Sequence, residues 1–204
     1  HDNSTAGNPE SKQYAVDAGK RALEEHYRRM GYEAVVENTG IFIVYRTIMK
    51  VQGNPKVSVI ILNKDHREDL EKCVVSIEEK TDYPNYEFIV VENNSELPET
   101  FAFYEERQRR YSNVKVVTWD GPFNYSAINN YGAEYATGDY YLMLNNDIEV
   151  ISPGWMSEML GYCQREDVGI VGAKLYYSDD TVQHAGVVVG VGGFAGHVLT
   201  RFRK

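Results

Sequence analysis

The chain has 204 residues, enough for one substantial core and an appendage. Its composition, 43% hydrophobic and 25% charged, is ordinary for a globular protein, and no apolar run is long enough to read as a membrane span. A net charge of −9, from 30 acidic and 21 basic residues, opposes a nucleic-acid binder, which carries a basic face. It does not oppose nucleotide binding, because a metal ion brings positive charge of its own.

In chain order, the sequence starts at His1 rather than Met, and residues 1–13 are polar and read as a disordered lead-in. Ala15 to Met30 carries a helical pattern that stops before Gly31. Glu33-Ala34-Val35-Val36 and Ile41-Phe42-Ile43-Val44-Tyr45 flank Asn38-Thr39-Gly40, a hairpin turn signal. Residues 14–54 thus read as a helix and hairpin appendage, joined by Gly53-Asn54-Pro55 to a main domain over 55–204.

That domain begins with Val57-Ser58-Val59-Ile60-Ile61-Leu62, and a similar run follows at Phe88-Ile89-Val90-Val91. Both are short, rich in β-branched residues and nearly continuous in apolar character, as suits strands buried on both faces. After the first, Leu70, Cys73, Val74 and Ile77 fall at i, i+3, i+4 and i+7, one face of a helix. After the second, Pro98 through Tyr111 reads as another helix. Further strands are expected near 114–118, 140–144 and 169–174. Such alternation implies an α/β fold with a mainly parallel sheet. The two cysteines, Cys73 and Cys163, form no disulfide framework, and Cys73 sits on the apolar helical face as a small core residue. Without a signal peptide, a reducing, cytoplasmic setting is expected.

The chemistry gathers where strands stop. Tyr140-Tyr141-Leu142-Met143-Leu144 ends on Asn145-Asn146-Asp147, the first strand on Asn63-Lys64-Asp65, and the second on Glu92-Asn93-Asn94-Ser95. Parallel crossovers bring all carboxyl ends to one edge, where open α/β sheets bind ligands. A hard divalent cation is held there by one or two carboxylates plus substrate phosphates. Each triplet also has a plainer reading: Asp147 as a turn former, Asp65, Asn94 or Ser95 as helix caps, and Lys64 as a solvated surface charge.

In order and spacing, these pieces, with Phe123-Asn124-Tyr125-Ser126-Ala127-Ile128-Asn129-Asn130-Tyr131-Gly132, resemble the nucleotide-sugar-binding part of a family 2, GT-A-type glycosyltransferase. The resemblance runs from Pro55 to about Phe202. Gly172-Ala173-Lys174-Leu175-Tyr176 and Gln183-His184-Ala185-Gly186 resemble bacterial cell-surface polysaccharide enzymes, rhamnosyltransferase-like ones among them. It implies transfer of a sugar, with inversion, from a nucleotide-diphospho-sugar to a glycan or lipid-linked acceptor, at the inner face of the membrane or free in the cytoplasm. It also implies Mg²⁺ or Mn²⁺ on Asp147, with Asn146 beside it on the sugar or ribose side. Leu62, Asn63 and Lys64 would pack base and ribose. Glu92 and Asn93 would accept hydrogen bonds from the base, although Glu92 stands where the family more often has Asp. Asn129 would point from its helix to the same pocket, or satisfy a neighbouring loop carbonyl. His184 would lie on the acceptor side, unless it is structural. Asn145 and Asn146 stand where the family commonly has a second carboxylate.

The family's catalytic base lies in an acidic motif well downstream of the metal Asp, and it is expected beyond Lys204, the sequence being a piece of a longer enzyme. Val187, Val188, Val189, Val191 and Phe194 crowd the chain's end, and self-association into a homodimer through them is expected. Two other readings stand beside the enzyme: a nucleotide-binding module without catalysis, and an oligomerisation domain built on residues 14–54.

Overall fold

A computed structural model describes residues 13–203, so the expected lead-in lies outside the described residues apart from Gln13, which opens a helix. The chain divides into two compact units. One comprises residues 52–156; the other joins the described residues up to Val51 with those from Ser157 onward. No helix among the described residues is long and apolar enough to cross a membrane.

At the amino-terminal side, helix α1 (Gln13–Arg29) precedes an antiparallel pair, β1 (Ala34–Asn38) and β2 (Tyr45–Met49). The Tyr45 hydroxyl donates to the Val16 carbonyl at 2.7 Å, over Gly19, where a Cβ would come within 2.2 Å of that hydroxyl. The hairpin forms, but not with the expected second strand. Asn38 pairs with Tyr45, so Ile41 to Val44 lie in the connecting loop. The loop closes on itself: Thr39 donates to the Val44 carbonyl, and Ile43 adopts φ 53. With these four residues exposed, β-propensity finds no face to bury and local turn bonding wins.

The other unit is a four-stranded, all-parallel sheet. In chain order it comprises β3 (Val57–Asn63), α2 (Arg67–Lys80), β4 (Tyr86–Glu92), α3 (Pro98–Arg110), β5 (Val114–Thr118), α4 (Tyr125–Glu134) and β6 (Tyr140–Leu144). Spatial order is β5-β4-β3-β6, every neighbour parallel. Val59, Ile60, Ile61, Phe88, Ile89 and Val91 are almost wholly inaccessible, as their unbroken apolar runs require. Acidic Glu68 and Asp69 open α2 and Lys80 closes it, each matching the helix dipole. Pro98 occupies the first turn of α3, and the Asn124 side chain caps α4 by accepting from the Ala127 N–H at 3.0 Å. Cys73 is fully buried, and burial pushes its thiol up to about 12, so it is an inert core residue.

Helix α5 (Trp155–Cys163) carries the chain from one unit to the other. Beyond it come β7 (Leu175–Tyr176) paired with β8 (Val182–His184), and β9 (Val187–Val189) paired with β10 (Ala195–His197), all short and antiparallel. The strand expected over 169–174 is absent. Gly169 and Gly172 interrupt that run, Ile170 is 92% exposed, and strand pairing starts only at Leu175.

Candidate functional site

The chain leaves β3, builds β4 and β5 on one side, then crosses to place β6 on the other. The sheet order therefore reverses between β3 and β6, and the crevice at the carboxyl ends of those strands is where open α/β sheets take ligands. Register sets Asn63 opposite Glu92, and Ile61 opposite Leu144. The three polar triplets expected to converge do so on this edge.

A continuous hydrogen-bonded chain links them. Asn146 Nδ2 donates to Asn63 Oδ1 at 2.7 Å, across the reversal point. Asn63 Nδ2 donates to the Tyr104 hydroxyl and to the Asp65 carbonyl, both at 2.7 Å. Tyr104 donates to Glu92 Oε2 at 2.9 Å, and the Ser95 N–H and hydroxyl close on the same carboxylate. Asn63, Glu92 and Tyr104 are buried, at 2%, 2% and 4% exposure. Burial pushes the Tyr104 phenol above its ordinary range, which keeps its proton in place.

Six further bonds brace the loops. Asp65 Oδ1 accepts from the Leu97 and Glu96 N–H groups, which hold that carboxyl below the usual range, and the Asp65 N–H donates to Ser95 Oγ. Asn93 Nδ2 reaches the Trp119 and Gly121 carbonyls, and Asn94 Nδ2 the latter as well. Asp65, Asn93 and Ser95 thus stitch the rim together, and neither α2 nor α3 has the side-chain cap considered for Asp65, Asn94 or Ser95.

Leu62 is half-buried under this rim, and Lys64 is exposed on it. Asp147 is exposed and makes no hydrogen bond or ion pair among the described residues. Asn129, on α4, is 2% exposed; its amide donates to its own helix at Tyr125, and its Oδ1 is buried without a partner. The bond to a neighbouring loop carbonyl considered for it is therefore not made. His184 belongs to the other unit, where its Nδ1 lies 2.9 Å from His197 Nδ1.

Residues 58–189 match glycosyl transferase family 2. The chain belongs to that family. It is 48% identical over 189 residues to the O-antigen biosynthesis protein RfbC of Myxococcus xanthus, which covers 92% of this chain and 14% of that protein. It is 44% identical over 195 residues to the uncharacterized protein y4gI of Sinorhizobium fredii, covering 95% of this chain and 22% of the relative. The chain thus spans less than a quarter of either relative's length. Among solved structures it is similar to mannosyltransferase PcManGT from Pyrobaculum calidifontis, in complex with GDP-Man and Mn²⁺. That likeness has a TM-score of 0.52 at 15% identity, over 79% of this chain and 44% of the other. It establishes the GT-A fold.

The donor set of this family 2 domain suits a hard cation held mainly by its substrate. Among the described residues no three His, Cys, Asp or Glu side chains gather into a cage. Among the described residues, Asp147 offers an unengaged, exposed carboxylate at the reversal point, and a hard cation can be held by one carboxylate with phosphates and water completing its shell.

Sequence reasoning missed Tyr104, the centre of the polar chain. A signal was present: Thr100, Phe103, Tyr104 and Arg107 fall on one face of α3, and a buried Tyr needs a hydroxyl partner. Glu92, expected to accept from a base, takes the Ser95 N–H on one carboxylate oxygen and the Ser95 and Tyr104 hydroxyls on the other.

Proposed function

We propose that this domain binds a nucleotide-diphospho-sugar and serves in transfer of its sugar, with inversion, to a glycan or lipid-linked acceptor in cell-surface polysaccharide synthesis, in the cytoplasm. The observation that carries the reading is the exposed, unengaged Asp147 carboxylate at the strand-order reversal, beside the Asn146–Asn63 bridge. Family membership supports the reaction class, and identity to an O-antigen biosynthesis protein supports the polysaccharide setting.

In this reading Asp147 holds a Mg²⁺ or Mn²⁺ ion, which when bound supplies positive charge to the diphosphate as it departs. Asn146, Asn63, Leu62 and Lys64 line the donor side. Asn93, and Glu92 through its grip on Ser95, shape the loop that faces the base. Asn129 Oδ1 remains a buried acceptor on the neighbouring helix.

A thermal-shift screen of nucleoside diphosphates tests this. A selective binder raises the melting temperature by mass action, with Mn²⁺ enhancing the shift. No stabilisation by any nucleoside diphosphate, with or without Mn²⁺, would defeat the proposal.

A further inference from the structure

The polar chain across the strand ends runs in one direction only. A carboxylate and a backbone carbonyl accept hydrogen bonds and cannot donate them. Glu92 therefore forces Tyr104 to donate, which leaves the phenol oxygen as an acceptor for Asn63. The Asp65 carbonyl independently demands the same Asn63 Nδ2. With its nitrogen committed twice, Asn63 presents Oδ1, and Asn146 must meet it with Nδ2. Side-chain amides are ordinarily free to swap nitrogen and oxygen positions. Here two acceptor-only groups fix the orientation of both.

We infer that Tyr104 and Asn63 are positioning residues that hold Asn146 with its amide oxygen as the group left for a ligand. No described residue donates to that oxygen, and Asn146 is half-buried next to the exposed Asp147. The Asn146–Asp147 corner at the reversal point thus offers two acceptors on adjacent residues, a carbonyl-type oxygen and a carboxylate. With Asp147 given to the cation, the Asn146 oxygen takes a partner that brings an O–H group, and the hydroxyls of a nucleotide-sugar donor are that chemistry. The inference rests on the donor-binding reading above and adds which residues set the polarity of its site.

Two measurements on the full chain separate the relay from that reading. The first is the ¹⁵N side-chain amide spectrum of the ligand-free protein. Wild type is expected to show Asn146 as a hydrogen-bonded, slowly exchanging amide. In Tyr104→Phe, which removes one oxygen and little volume, Asn63 loses a partner and the Asn146 signals should move toward those of a free amide. Glu92→Gln, whose amide can donate back to Tyr104, should do the same and serves if Tyr104→Phe does not fold. Tyr131→Phe, whose hydroxyl meets only Tyr135 on α4's side of the sheet, is the control and should leave Asn146 unchanged. Unmoved Asn146 signals in both relay variants would overturn the inference. The second is calorimetric titration with UDP, dTDP and GDP in Mn²⁺. The preferred nucleotide should bind about tenfold more weakly to Tyr104→Phe, the loss of roughly one hydrogen bond's positioning. Moved signals with unchanged affinity would overturn the positioning role. Binding of none of the three to wild type would defeat the donor-binding reading, and the ligand assigned to Asn146 with it.

Discussion

Asp147 and Glu87 belong to the same sheet unit and obey opposite physics. Asp147 stands exposed at a strand's carboxyl end and supports no core contact. Asp147→Ala is expected to change stability by less than about 0.5 kcal/mol. It should also abolish Mn²⁺-dependent nucleotide binding, which calorimetry in Mn²⁺ and in EDTA would read; an unchanged Mn²⁺ effect rules the role out. Glu87 lies near the amino end of β4, paired in register with Ser58 and about nine-tenths buried. Burial alone would push its carboxyl up. Hydrogen bonds from Lys56, Thr137 and Ser58 outweigh that and hold it at about 2, below an ordinary 4.5. A lowered folded value means the stabilisation is present above the ordinary carboxylate range and is lost as pH falls toward about 2. Glu87→Gln should therefore cost about 2 kcal/mol near neutral pH, allowing for Lys56's contact with solvent. Urea unfolding should show that gap closing between pH 4.5 and about 2; a gap independent of pH would mean the loss is one of packing.

At α4 the packing rule and the helix-propensity rule disagree. Ala is a better helix former than Gly by about 1 kcal/mol. Yet a Cβ on Gly132 would meet Ile60 Cγ2 and Val91 Cγ2 at 2.8 Å, in the buried apolar cluster to which Ile128 also belongs. Gly132→Ala is expected to destabilise by roughly 1–3 kcal/mol, since a close-packed core cannot shift to admit a methyl. A melting temperature equal to or above wild type would refute this. The parallel strands and α2, α3 were legible because long apolar runs and 3.6-residue periodicity leave few alternatives. The hairpin was legible in kind but slipped in register: Ile41 to Val44 have strand-like composition, and only the absence of a surface to bury them turned them into a loop. The expected strand over 169–174 failed likewise, because pairing is a property of the neighbour as much as of the run.

For the molecule as a whole, the β9–β10 region leaves apolar surface open: Val189 is 87% and Phe194 89% exposed, with Val187, Val188 and Val191 about half exposed. Such a patch is a common site of association. Self-association through it is expected, and light scattering across a dilution series should show a mass that falls on dilution and that Phe194→Ser lowers at fixed concentration. A single monomeric mass at all concentrations would exclude it. The linear order of the chain was sufficient to determine the α/β class, the convergence of three polar strand ends on one edge, and the place of Asp147 at one of those ends. Those follow from short-range periodicity and from the rule that parallel crossovers align strand ends. The network behind the edge was beyond its reach. Tyr104 is 41 residues from Asn63 and 12 from Glu92, and the Asn146–Asn63 bridge spans 83. Hydrogen-bond direction depends on which donors and acceptors meet in three dimensions, so only the folded arrangement could bury Glu92 against Tyr104 and Ser95 and commit the Asn146 amide nitrogen to Asn63.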